Sequence, residues 1–231
     1  MREIVFDTET TGLDANQDRI IELGGIELFK RFPTGRVFHH FINPQGRPIN
    51  SDAQAVHGIS MADLQGKPTF DAIAEEFLVF IDGAKLVAHN AGFDIGFLNA
   101  EFARLGRPLV GSDRVVDTLA IARRKHPMGP NSLDALCRRY GIDNSHRTKH
   151  GALLDSELLA EVYLELMGGR QPDLTLTVVT SGAGSVAGIW IAPPRPRPLA
   201  PRLTPAEAEA HAAFIATLGP AALWMVSTPA G

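Results

Sequence analysis

The amino-acid sequence predicts an α/β fold in which a mixed β-sheet is covered by helices. Three observations carry that prediction. Runs rich in β-branched and aromatic residues open the chain at 2–6, 19–29 and 37–42, separated by Gly, Pro, Asn and Asp. Helical periodicity then alternates with short apolar runs, the pattern of strands joined by crossover helices. Apolar residues make up 45% of the chain and charged residues 21%, enough for a real core in one ordinary domain plus an appendage among 231 residues.

Taken in order, Arg2 to Phe6 is an apolar strand, and Arg19 to Phe29 and Val37 to Ile42 follow as a hairpin turning through Pro33-Thr34-Gly35. Ala72, Ile73, Phe77 and Phe80 have helical spacing, with Thr69 as a cap. Lys85 to Ala88 reads as a short buried strand leading into a helix from about Gly92 to Leu105 that carries Phe93, Phe97 and Leu98. Val115-Val116 supplies another strand, and helices follow over Thr118 to Lys125, Leu133 to Tyr140 and Ala152 to Met167. No internal repeat stands out.

Composition changes after Gly168-Gly169, so the domain is expected to span residues 1–169. Residues 170–203 hold Ser181-Gly182-Ala183-Gly184-Ser185 and a proline-rich run from Pro193 to Pro201, a linker composition. Thr204-Pro205-Ala206-Glu207 then has the signature of a helix start, with Thr as cap, Pro at the first position and Glu at the third. That helix should reach about Leu218. It and Leu223-Trp224-Met225-Val226 are too short for a core of their own, which marks residues 204–231 as a partner-binding segment.

Several function classes drop out. The amino terminus has no basic and apolar leader pattern, and no apolar run is long enough to cross a bilayer, so a cytoplasmic protein is expected. Cys137 is the only cysteine, which excludes an internal disulfide and a cysteine-cluster zinc site, and its helical setting suggests a buried thiol. Net charge is −4, which argues against a nonspecific nucleic-acid coat protein. Between Arg123 and Lys149, however, seven Lys or Arg face two Asp, a local +5 that reads as a solvated helix face or as a phosphate-tracking surface.

Chemistry concentrates in three places. Asp7-Thr8-Glu9-Thr10-Thr11-Gly12 follows Ile4-Val5-Phe6, so Asp7 and Glu9 point to one face of a strand with Cα atoms about 6.5 Å apart. Like charges so placed repel unless something positive lies between them, although a strand end turning into a loop also accounts for these residue types. Asp155 shares a helical face with Leu159, Val162 and Leu166, a carboxylate inside an apolar stripe that needs a cation or strong donors. A first-turn aspartate favoured by the helix dipole is the plainer account. His150 lies five residues earlier, about 500° of helical rotation, and can approach Asp155 only from the loop before the helix. Asp94, in His89-Asn90-Ala91-Gly92-Phe93-Asp94, follows another strand. Four carboxylates from three segments would then meet at one sheet edge, with no lysine or arginine in their immediate motifs to neutralise them. Oxygen-only ligands of this kind favour Mg²⁺ or Mn²⁺, and a pair of such ions serves in-line phosphodiester displacement.

These three motifs, in this order and spacing over residues 1 to about 168, resemble those of the DEDD exonuclease superfamily in its histidine-bearing branch. Val56-His57-Gly58-Ile59, Asn131-Ser132-Leu133-Asp134-Ala135-Leu136-Cys137 and Arg147-Thr148-Lys149-His150-Gly151-Ala152-Leu153-Leu154-Asp155 are similar to the epsilon-type proofreading subunits of bacterial DNA polymerase III. The resemblance implies a ribonuclease-H-like fold with a five-stranded mixed sheet, and 3′→5′ exonuclease activity releasing 5′-monophosphates. It implies two divalent metal ions held by Asp7, Glu9, Asp94 and Asp155, with His150 as general base. It also implies that His57 contacts the terminal nucleotide, joined by Asp52, Asp7, Glu9 and Asp155, with backbone amides around Thr8 to Thr11 gripping the same nucleotide. The basic segment from Arg123 to Lys149 would hold the strand's phosphates.

The tail has counterparts as well. Gln171-Pro172-Asp173-Leu174-Thr175-Leu176 resembles the peptide that replication proteins insert into the sliding clamp, through Gln171, Leu174 and Leu176. Leu203 to Trp224 resembles the part of such subunits that docks on the catalytic (alpha) subunit of the polymerase. Expected partners are therefore a DNA 3′ end, the alpha subunit and the beta clamp. A free-standing exonuclease acting on RNA or short oligonucleotides would need no such tail, and a noncatalytic subunit would not need the complete set of five chemical groups.

Overall fold

The computed structural model describes residues 1–147, 149–169 and 204–218. Two compact units divide the chain between Leu174 and Thr175. In the first, five strands form one sheet in the order β3-β2-β1-β4-β5: β1 (Arg2–Thr10), β2 (Ile20–Phe29), β3 (Phe32–Phe41), β4 (Lys85–Ala88) and β5 (Val115–Asp117). The first three are antiparallel; β4 runs parallel to β1, and β5 parallel to β4. This is the mixed five-stranded sheet of the expected ribonuclease-H-like class.

Two departures from the sequence reading have local causes. The hairpin turns at Lys30-Arg31, not at Pro33-Thr34-Gly35. Both residues take left-handed φ, 52° and 69°, as a two-residue turn matched to strand twist requires. Pro33 and Gly35 instead lie in β3, an edge strand that tolerates a missing donor, beside a register irregularity opposite Ile26 to Leu28. Strand β1 also runs on to Thr10 rather than ending at Phe6, because β2 continues to supply ladder partners, Asp7 to Gly24 and Glu9 to Glu22.

Helices α2 (Phe70–Ile81) and α3 (Gly92–Arg104) cover one face. Ile4, Phe6, Leu86 and Ala88 pack there against Phe77, Phe97 and Phe102. On the other face Val5, Ile26, Leu28 and Val87 meet Leu159, Ala160 and Tyr163 of α6 (Ala152–Leu166), which also packs on α4 (Thr118–Lys125) and α5 (Leu133–Tyr140). Cys137 is buried in that second layer, and burial pushes its thiol up to about 11, as a core residue. A seven-residue helix, α1 (Ser51–His57), was not legible as a period; it is capped by the Asn50 side chain on Asp52 N–H and closed by Gly58 at φ 78°.

Gly24 sets the distance between α6 and the sheet. A Cβ there would lie 2.4 Å from the backbone of Ala152 and Leu153, so only glycine lets the start of α6 rest on β2. Ser156 fastens the contact by donating from Oγ to the Gly24 carbonyl at 3.1 Å. In the second unit, α7 (Pro205–Thr217) begins with the expected reciprocal capping of Thr204 and Glu207. The linker, the Gln171-Leu174-Leu176 peptide and Leu223 to Val226 lie outside the described residues. No helix among the described residues is long and apolar enough to cross a membrane.

Candidate active site

The site forms where β1 and β4 end. Their pairing stops at Val5 and Val87, and the chain leaves β4 through Asn90, in left-handed conformation at φ 65°, into α3. That exit opens a notch beside Asp7. Alternation puts Asp7 and Glu9 on the face of Val5, toward α6, while Thr8 points to the α3 side. Thr8 receives Asp94 from the first turn of α3: its N–H and Oγ donate to Oδ1 at 3.1 and 2.8 Å. Asp94 therefore reaches the strand end from one layer and Asp155 from the other.

Asp7, Thr8, Glu9, Thr10, Asp94 and His150 line one pocket of about 240 Å³, together with His57 and the apolar Leu13, Val56 and Phe93. Ligand atoms of Glu9, His150 and Asp155 all lie within 4.8 Å of one another. His150 stands in the loop before α6, with Nδ1 3.4 Å from Asp155 Oδ2. Its loop is tied to α1, because His150 N–H donates to the Val56 carbonyl at 3.3 Å and Lys149 Nζ to the Ala55 carbonyl at 2.7 Å. This joins the His57 and His150 motifs. His57 is buried, and its Nδ1 accepts the Ile59 N–H at 3.0 Å while Nε2 has no partner. Asp52 sits in the exposed first turn of α1 and is not among the pocket's lining residues.

Electrostatics single out the carboxylates. Burial, then the charges of Asp94, Glu9 and Asp155, raise Asp7 well above the usual carboxylate range. Burial pushes Glu9 to about 8, with Asp155 and Glu22 adding to it, and Asp94 to about 7 against the opposing Thr8 hydrogen bonds. One oxygen of Glu9 is buried without any hydrogen-bond partner. Buried, mutually repelling oxygen donors with an unpartnered lone pair fit a divalent cation, which would remove the repulsion and supply the missing contact. A larger groove of about 600 Å³ between the β2–β3 hairpin and α6 has none of this chemistry near the strand ends.

An exonuclease family model matches residues 4–163. The epsilon subunit of DNA polymerase III from Rickettsia felis is 52% identical over 175 residues, covering 74% of this chain and 76% of that protein. The chain belongs to this epsilon-subunit exonuclease family. The Escherichia coli epsilon subunit is 49% identical over 177 residues, 73% of this chain and 72% of its own. Among solved structures, exonuclease X in complex with 5′-overhanging duplex DNA aligns with a TM-score of 0.55 and 28% identity, over 72% of this chain and 90% of that one. The zinc-bound complex of Escherichia coli exonuclease I with single-stranded DNA, at 18% identity, shares the fold with a TM-score of 0.65 over 73% of this chain and 41% of its own. An epsilon-family chain with this domain is a 3′→5′ exonuclease, and the family depends on divalent metal.

Two contacts at the site go beyond the sequence reading. The four carboxylates do have a basic neighbour: Arg147, whose side chain is 6% exposed, donates from Nε and Nη2 to Asp155 at 2.5 and 2.7 Å. Arg147 is thereby lost to the expected phosphate-holding surface, as is Lys125, whose Nζ is held by the Glu165 and Leu166 carbonyls. Arg123, Arg124 and Arg138 remain exposed. The second is Glu22, buried directly across the ladder from Glu9 and paired to His39 at 2.7 Å. A glutamate at an inward position of an apolar strand was the available signal for it.

Proposed function

We propose that this chain is the proofreading subunit of the bacterial replicative polymerase, removing mispaired 3′-terminal nucleotides of DNA as 5′-monophosphates in the cytoplasm. The observation that carries the reading is the convergence of Asp7, Glu9, Asp94 and His150 at one pocket, with a ligand atom of Asp155 within 4.8 Å of those of Glu9 and His150, in a chain half-identical to epsilon subunits. The four carboxylates would hold two ions, Mg²⁺ or Mn²⁺. Such ions supply an activated water and neutralise charge on the leaving oxygen.

The chain's own groups do the rest. His150 is the general base: burial and the neighbouring Arg147 charge lower its pKa, which keeps it neutral and able to accept a proton near pH 7. His57 contacts the terminal nucleotide, with burial lowering its pKa as well, while Leu13, Val56 and Phe93 offer apolar surface to the base. Asp52, on the helix that carries His57, is assigned to the incoming strand outside the pocket. The exposed arginines of α4 and α5 would meet phosphates, whereas the amides of Thr8 and Thr11 are already bonded to Asp94 Oδ1 and the Arg19 carbonyl. Gln171, Leu174 and Leu176 would engage the beta clamp, and residues 204–231 the alpha subunit, through the exposed Phe214 of α7 and Leu218 just after it. The experiment is co-elution of the full chain with the alpha subunit and the clamp, beside metal-dependent release of nucleotides from a mispaired primer. Release of 5′-monophosphates with co-elution is expected; nuclease activity without either association would remove the proofreading assignment.

A further inference from the structure

Arg147 makes more contacts than a phosphate-binding arginine would. Besides its two bonds to Asp155, Nη1 donates to Asp134 Oδ1 in the first turn of α5 at 2.8 Å, and Nη2 lies 3.0 Å from His150 Nδ1. One buried cation thus fixes a carboxylate, the ring beside it and the helix that precedes their loop. It is also unevenly shared among the acids. Asp94 is held by the neutral Thr8, and Glu9 keeps an unpartnered oxygen, whereas Asp155 has both oxygens on Arg147.

Resting on the reading of Asp155 as a metal ligand, we propose that Arg147 is a positioning residue that acts as the built-in counter-ion of Asp155 and sets the affinity of the site for its divalent cation. Each carboxylate oxygen has two lone pairs, so Asp155 can keep its arginine while turning a second lone pair to an ion near Glu9 and His150. The two positive charges then share one carboxylate, and their repulsion weakens ion binding. In return Asp155 stays oriented when no ion is bound, which the desolvated cluster could not otherwise sustain.

The two roles separate experimentally. Arg147→Gln removes the charge and keeps a donor for Asp155. Arg147→Lys keeps the charge and loses the two-pronged grip. Manganese binding to the full-length protein is measured from the electron paramagnetic resonance of free Mn²⁺, with circular dichroism to establish folding and thermal unfolding in EDTA. The counter-ion role predicts Mn²⁺ affinity about tenfold tighter in Arg147→Gln, a lower midpoint for that variant in EDTA, and affinity within about threefold of the parent in Arg147→Lys. Equal or weaker binding by folded Arg147→Gln would overturn it. Should that variant not fold, loss of Mn²⁺ binding by folded Arg147→Lys would overturn it equally, because geometry and not charge would then govern the site. Failure of the unaltered chain to bind Mn²⁺ at all would instead strike the metal reading beneath it.

Discussion

Replacing Glu9 with glutamine should stabilise the metal-free protein, an unusual outcome for a residue at the centre of a site. Native Glu9 keeps its proton up to about pH 8, whereas an unperturbed glutamate releases it near 4.5. Between those values the native state holds more protons than the unfolded chain, so stability falls as pH rises. The displacement corresponds to an upper bound of about 4 kcal/mol at pH 8 and less than about 1 kcal/mol at pH 5. Relaxation and water entry into an open pocket should reduce the larger figure to about 2–3 kcal/mol. Glutamine has nearly the same shape, and its amide can donate toward Asp155 or Glu22, whose charges now oppose Glu9. For a domain of this size the gain corresponds to roughly 5–10 °C in thermal midpoint. The assay is thermal unfolding of both proteins in EDTA at pH 5 and pH 8, repeated with Mn²⁺. Expected are a clear advantage for Glu9→Gln at pH 8, little difference at pH 5, and a smaller Mn²⁺ response in the variant. No advantage at pH 8 in EDTA would refute the argument that buried repulsion at this carboxylate is relieved by a cation.

Other substitutions test other parts of the arrangement. Asp7→Ala combined with Glu9→Ala should abolish metal-dependent release of nucleotides from a 3′ end while circular dichroism stays unchanged; retained activity would sink the four-carboxylate assignment. His150→Ala should bind Mn²⁺ yet lose about 10²–10⁴ in turnover, and an unaltered pH-rate profile would contradict its role as base. Gly24→Ala forces a Cβ to 2.4 Å from the α6 backbone, so a loss of about 1–3 kcal/mol in urea unfolding and weaker Mn²⁺ binding are expected. A variant as stable as the parent would show that α6 is free to move away. Deleting residues 171–231 should spare hydrolysis of single strands and abolish co-elution with the alpha subunit; persistent association would place docking in the exonuclease domain.

How far the sequence reached depends on how locally each feature is encoded. Strands β1, β2 and β4 were legible because apolar runs between turn residues need no distant partner to be recognised. The extent of β1 was not, since Thr8, Glu9 and Thr10 are strand residues only by virtue of the ladder that β2 supplies. Helix α1 buries His57 alone, so it offers no apolar period, and its evidence was confined to the caps Asn50 and Gly58. The Lys30-Arg31 turn escaped for a related reason: long basic side chains rarely mark left-handed φ, and Pro33 and Gly35 nearby gave a stronger but misleading signal.

The candidate site divides along the same line. Asp7 and Glu9 were found through the two-residue period of a strand, and Asp155 through an apolar helical stripe that ought not to contain a charge. Both are rules about a single element. Arg147 belongs to no element: it lies in the loop between α5 and α6, and sequence pattern shows it as one of seven basic residues and as the start of the motif that ends at Asp155, with no sign of its burial. Its burial follows from the approach of three groups, Asp134, His150 and Asp155, from two helices and a loop. A carboxylate in an apolar stripe, as Asp155 is, needs a cation or strong donors. Arg147 meets that requirement by itself, so the stripe alone is not evidence for metal. The stronger case comes from Glu9, whose buried oxygen has no partner and whose nearest neighbours include like charges. An arginine fixed on Asp155 leaves that repulsion partly unrelieved, which is why the metal assignment rests on Glu9 and its response to Mn²⁺.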